Sequence, residues 1–187
     1  MFVRSKNCVN EVSCEATALL QYEPLMIPGL LQTPEYARAV IEATGSGLSE
    51  DEVDALVASR ISRQSVLTKR QSLQLHVLVE EDALNRPFGD AGVLARQLRH
   101  LADIATRPNI ILQLLPTETG LRAGLHGAFV VLEYDDEPSL VWLENQLASV
   151  FLEEDEQIEG YLASWNDMVA RARTADESAE LICKMVV

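Results

Sequence analysis

Between Ser49 and Ala105 the hydrophobic period changes from that of a helix to that of a strand and back, which restricts the chain to folds that lay helices on a sheet. Ser49-x-x-Glu52 has the form of a capping box, and Val53, Leu56, Val57, Ile61 and Gln64 recur on one helical face to about Leu67. Leu73, Leu75, Val77 and Val79 then alternate with Gln74, His76, Leu78 and Glu80, a period of two that predicts a strand. Leu94, Leu98, Leu101 and Ala105 carry a helix over about 90–106 that ends before Pro108. Three short apolar runs follow, 109–115, 128–134 and 140–143, bounded by Pro116, Gly120, Gly124, Gly127 and Pro138. They read as strands, the last two joined by an Asp135-Asp136-Glu137-Pro138 hairpin. From Asp155 a seam of Ile158, Tyr161, Leu162, Trp165, Met168, Val169 and Ala172 predicts a long helix, and a second capping box, Thr174-x-x-Glu177, opens a short last one. The expected fold is α+β, a single domain over 1–187 with helices on a mainly four-stranded sheet. Helical segments lie toward both ends, and residues 1–10 are expected to be flexible.

The stretch Tyr22-Glu23-Pro24-Leu25-Met26-Ile27-Pro28-Gly29-Leu30-Leu31-Gln32-Thr33-Pro34-Glu35-Tyr36-Ala37-Arg38-Ala39 is too particular to be generic core. Pro28-Gly29 reads as a turn, Thr33 as an N-cap and Pro34 as the first helical residue, where a missing N–H costs nothing. The helix should run from about Pro34 to Ala43 and stop at Gly45. This run, followed in order by Arg60, Arg63-Gln64, Glu81-Asp82-Ala83-Leu84, Gly89, Gln97-Leu98, Pro108-Asn109, Gly124, Gly127-Ala128-Phe129, Glu144 and Glu177-Ser178, resembles a domain of unknown function found behind the helix-turn-helix of actinobacterial Xre-type, antitoxin-like regulators. The resemblance covers residues 11–185. It departs in two places: nothing like a helix-turn-helix precedes residue 11, and Trp142-Leu143-Glu144 stands where the family more often has a tyrosine before the glutamate.

Composition narrows the function classes. With Lys+Arg 15 against Asp+Glu 29 the formal charge is −14, which disfavours binding to a phosphate backbone, since that affinity comes from cations releasing counterions. No apolar run is long enough to span a bilayer and no signal peptide is evident, so a cytoplasmic protein is expected. Cys8, Cys14 and Cys183 lack metal or disulfide spacing, and His76, His100 and His126 lack the i, i+4 spacing of a helical metal site. No metal and no cofactor are expected. The acidic runs at 80–82, 135–137 and 153–156 read as solvated faces and helix starts.

Polar residues that interrupt the core are the candidate site. Arg63 and Gln64 fall near the inner face of their helix, Gln97 lies within the Leu94–Leu101 stripe, and Glu81, Trp142 and Glu144 lie at strand ends. Two readings stay open: a packing network in which Arg63 pairs with Glu81 or Glu144 and Gln97 caps a strand end, or one largely apolar cavity on which Arg63, Gln64, Glu81, Gln97, His126, Trp142 and Glu144 converge, with Arg63, Gln64, Gln97, Trp142 and Glu144 holding the ligand. The loop 120–127 carries three glycines and His126, and reads either as a lid or as an ordinary connection. As a regulator-like domain the chain would bind a small hydrophobic or anionic molecule, or a small partner protein, without contacting nucleic acid itself. As an enzyme it would be a cofactor-independent cyclase or isomerase with His126 and Glu81 moving protons. The seam Ile158, Tyr161, Trp165, Met168 and Val169 would serve the core or a homodimer contact.

Overall fold

A computed structural model of the chain describes residues 2–3, 16–69, 72–120, 123–145 and 148–186. Among them, six strands of four to seven residues form one mixed sheet: β2 (Ala18–Glu23), β3 (Gln74–Glu80), β4 (Ile110–Leu115), β5 (Phe129–Glu133), β6 (Leu140–Glu144) and β7 (Ser149–Leu152). A two-residue strand, β1 (Phe2–Val3), adds to the outer edge of β7. The order is β1-β7-β6-β5-β2-β3-β4, so β2, β3 and β4 are parallel whereas β5, β6 and β7 form an antiparallel meander. The sheet is therefore larger than the four strands read from the sequence. The expected flexible stretch 1–10 lies outside the described residues except for Phe2–Val3, which are paired.

Two strands, β2 and β7, are absent from the sequence reading for different physical reasons. β2 is central and covered on both faces, so Leu19 and Tyr22 are both buried and the period-two signal is lost. β7 is only four residues long, with Ser149 and Phe151 on its inner side.

Five helices are described: α1 (Pro34–Thr44), α2 (Glu50–Arg63), α3 (Ala91–Ile104), α4 (Asp155–Arg171) and α5 (Ala175–Met185). Their starts are those expected. Thr33 Oγ1 accepts from the Tyr36 N–H at 3.3 Å with Pro34 next in line, and both capping boxes, Ser49/Glu52 and Thr174/Glu177, are closed reciprocally. A short 3₁₀ turn, Gln64–Leu67, continues α2 to the predicted end.

The sheet has two cores. On one face Leu19, Leu75, Val77, Val79, Leu112, Leu114 and Leu132 pack with Tyr36 and Val40 of α1, Leu98 and Leu101 of α3 and Ile182 of α5, while α2 lies against α1. On the other face Tyr22, Leu78, Leu115, Phe129, Val131 and Val141 pack against Ile158, Trp165 and Met168 of α4. The predicted seam is thus mostly consumed by the chain's own core. Where β4 ends the sheet, the Leu114 N–H donates to Ser178 Oγ and the Arg173 N–H to the Leu114 carbonyl, both at 2.9 Å, which closes part of that edge.

Candidate functional site

The carboxyl end of β2 is where the two cores diverge. On the first face the motif loop between β2 and α1 is held by side chains bonded to its backbone. Gln97 is fully buried; its Nε2 donates to the Leu31 carbonyl and its Oε1 accepts from the Thr33 N–H, each at 2.7 Å. Gln64 Nε2 donates to the carbonyls of Gly29 at 3.1 Å and Gln32 at 2.7 Å. Gln32 Nε2 in turn donates to the Ile27 carbonyl at 2.7 Å, and Arg60 Nη1 donates to Gln32 Oε1 at 3.0 Å. Two of the sequence-nominated ligand residues, Gln64 and Gln97, are therefore committed to fixing a turn.

The charged residues of this face share one neighbourhood. Burial pushes the Glu23 carboxyl up to about 7; a hydrogen bond from the Leu25 backbone opposes this and the Glu144 carboxylate adds to it. Burial likewise raises the Tyr36 hydroxyl to about 12, and lowers the Arg60 guanidinium, with Arg63 acting in the same direction and Glu144 against it. Trp142 and Phe151 lie opposite each other in the β6–β7 ladder and stack with ring centroids 6.4 Å apart. Trp142 Nε1 and Ser149 Oγ are buried without hydrogen-bond partners. Glu23 escaped the sequence reading although it stands in the motif; its signal was a carboxylate closing the apolar run 18–22.

Glu81 is elsewhere. It accepts from Arg173 Nη2 at 3.3 Å, and Arg173 also faces Glu118 at 3.7 Å, so the ion pair ties the end of β3 to the α4–α5 connection. The alternative in which Glu81 pairs with Arg63 is replaced by this contact.

On the second face an open cleft of about 720 Å³ lies between α4 and the ends of β5, β6 and β7. Phe129, Leu143, Val150, Leu152 and Tyr161 supply its apolar surface, and His126, Glu144, Asn145, Glu156, Gln157 and Ser164 its polar groups. Tyr161 meets Phe129 edge to face at 5.0 Å. Gly127 and Gly160 also line it, and a Cβ added to either would meet nothing within 4 Å. Gly124 behaves oppositely: a Cβ there would lie 2.5 Å from both Met168 Sδ and Tyr22 Cζ. The described part of the glycine loop is thus anchored against the core at Gly124 and brings His126 to the mouth of the cleft.

Of the nominated residues, His126 lines the cleft, as does the end of β6 at Glu144, but the Glu144 carboxylate acts on Glu23 and Arg60 of the opposite face, to which Arg63 and Trp142 also belong. Gln64, Gln97 and Glu81 are held in packing bonds, so the nominated residues do not converge on one cavity. Tyr161 was read as part of a seam, and Gly160 was overlooked; a lone glycine inside a strong helical pattern was its signal. No group of three or more His, Cys, Asp or Glu able to hold a metal occurs among the described residues, and no described helix is long and apolar enough to cross a membrane.

Helices on a mixed sheet, with a clamped turn at one end of the central strand and an open cleft behind it, make this an α+β domain. The chain belongs to the family described as Domain of unknown function (DUF5753), whose model matches residues 10–184. No curated protein matches it.

Proposed function

We propose that the chain is a small-molecule-binding domain of the kind that accompanies the helix-turn-helix of Xre-type regulators, and that the cleft beneath α4 is its ligand site. The cleft itself carries this reading: an apolar wall with a few polar groups at the rim, and open space above two glycines. The formal charge of −14 supports a domain that does not hold DNA by itself.

A protein-observed NMR titration with 2-naphthylmethanol, a neutral stand-in for an apolar ligand, tests the site. Saturable shifts of Tyr161 and Gly160 are expected, and Gly160→Trp should weaken binding at least tenfold by filling the cleft while leaving the far-ultraviolet circular dichroism unchanged. Absence of binding, or equal binding by that variant, refutes the reading. Anisotropy titration with duplex DNA should show no sub-micromolar, salt-sensitive binding; such binding would refute its second half.

The enzyme alternative rests on His126, which shares the cleft with Glu144 but not with Glu81. Turnover of a cyclic or isomerisable substrate that is lost in His126→Ala and retained in Glu81→Gln would favour it over the sensor.

A further inference from the structure

Two polar groups on the first face of the sheet lack the partners that hold Gln64 and Gln97. Ser149 is 2% exposed and Trp142 is partly buried, and both Ser149 Oγ and Trp142 Nε1 are shielded from solvent without a hydrogen-bond partner. Buried donors without acceptors are rare in native folds, because each loses its water and gains nothing in return. The β6–β7 register brings the two together: Ser149 lies opposite Glu144 and Phe151 opposite Trp142. Residues two apart on a strand share a face, so Leu140, Trp142, Glu144, Ser149 and Phe151 form one surface, with the serine hydroxyl at its Glu144 end.

Positive charge is in excess at that end. The Glu144 carboxylate acts on Arg60 of α2, and so does the guanidinium of Arg63 in the same helix. Among the described residues neither arginine has a carboxylate within ion-pair distance; Arg60 donates to Gln32 Oε1, and Arg63 has no hydrogen-bond partner at all. This happens in a chain with 29 acidic residues against 15 basic ones, where a carboxylate partner is easily supplied. Burial favours the neutral form of Glu23 beside them, so it opposes an anion less than an exposed carboxylate does. An indole N–H and a guanidinium can only donate, and what this surface lacks is an acceptor. We infer that it binds a small aromatic carboxylate, its oxygens at Arg63, Ser149 Oγ and Trp142 Nε1 and its ring along Trp142 and Leu140. This site is separate from the cleft beneath α4 and does not rest on it.

Three probes with one apolar body test the assignment by protein-observed NMR: 2-naphthoate, 2-naphthylmethanol and 2-naphthylmethylamine. 2-Naphthoate should bind this surface tightest, moving the Trp142 indole N–H and the Ser149 amide saturably while Tyr161 and Gly160 stay in place. Arg63→Gln should weaken it by roughly tenfold, the loss of one charge-assisted hydrogen bond. Ser149→Ala removes a hydroxyl that no protein group holds, so it should weaken 2-naphthoate without lowering the urea midpoint. A lowered midpoint would make that hydroxyl part of the fold and overturn its role in the site. Binding of the alcohol or the amine at Trp142 as tight as that of 2-naphthoate, or indifference to Arg63→Gln, overturns the carboxylate assignment. 2-Naphthoate that moves only Tyr161 and Gly160, or nothing, overturns this site and leaves the cleft to its own test.

Discussion

On the face covered by α1, α3 and α5, Gln32, Gln64 and Gln97 direct their amides into the backbone of one turn. On the face covered by α4, Gly124 is pressed between Met168 and Tyr22, yet Gly127 and Gly160 a short distance away look into open volume. Both arrangements meet at the same end of the same strand. The difference teaches that polar residues in an apolar context do not by themselves mark a ligand site, because a buried amide is stable wherever backbone groups satisfy it. A site is marked equally by missing side chains, at positions such as Gly160 where nothing in the packing requires them to be missing; Gly127, at φ 117°, is a glycine for its backbone.

The closed face can be broken most directly at Gln97. Gln97→Met conserves volume but leaves the Leu31 carbonyl and the Thr33 N–H without their partner. Each unsatisfied group costs on the order of 1–3 kcal/mol, so a loss of about 3 kcal/mol is expected in urea unfolding. A loss below about 0.5 kcal/mol would show that the turn does not depend on this clamp.

Gly124→Ala probes the anchored part of the other face. Its Cβ would meet Met168 Sδ and Tyr22 Cζ at 2.5 Å, well inside contact distance, and overpacking of this kind costs roughly 2 kcal/mol. Stability equal to the parent would mean that residues 123–126 move away freely and form a lid after all.

Most of the fold was legible in the sequence because its helices carry their own punctuation. Thr33-Pro34, Ser49/Glu52 and Thr174/Glu177 start helices by local hydrogen bonding, which does not depend on the tertiary structure. β2 was not legible, since a strand buried on both faces loses its alternation, and its neighbours β3 and β5 come from distant parts of the chain. The candidate site was half legible. His126 and Glu144 could be nominated from their positions in a glycine loop and at a strand end, but which sheet face each residue meets depends on the register of six strands. Gln64 and Gln97 were nominated for being polar within a helical stripe; the carbonyls they bond lie 32 and 66 residues away in sequence.

Glu23 sharpens the comparison by pH. Its carboxyl is raised from an ordinary 4.5 to about 7, chiefly by burial and further by Glu144, so the folded state favours the protonated form. Its contribution to stability is fully present below pH 4.5 and is lost as pH rises through about 7. The displacement corresponds to about 3 kcal/mol at most, and about 2 kcal/mol after allowance for partial exposure. Glu23→Gln should therefore match the parent near pH 4.5 and exceed it by about 2 kcal/mol at pH 8 in chemical unfolding. An unchanged pH slope would place the Glu23 carboxyl in solvent and remove it from the closed face.

The smallest effect separates the faces most clearly. Gly160 lies within α4, with a neighbouring turn on either side, and nothing stands within 4 Å of the Cβ it lacks. If packing alone governed this position, alanine would be better by about 0.5–1 kcal/mol, because it loses less backbone entropy on entering a helix. Gly160→Ala should accordingly raise the urea midpoint without changing the denaturant slope. The added methyl enters the cleft, so the same variant should bind 2-naphthylmethanol less tightly, by a few-fold and short of the loss expected of Gly160→Trp. A variant that is both more stable and weaker in binding would locate the cost of the glycine in the ligand site. A destabilised Gly160→Ala would instead reveal a packing constraint on α4 and take from the cleft its strongest structural argument.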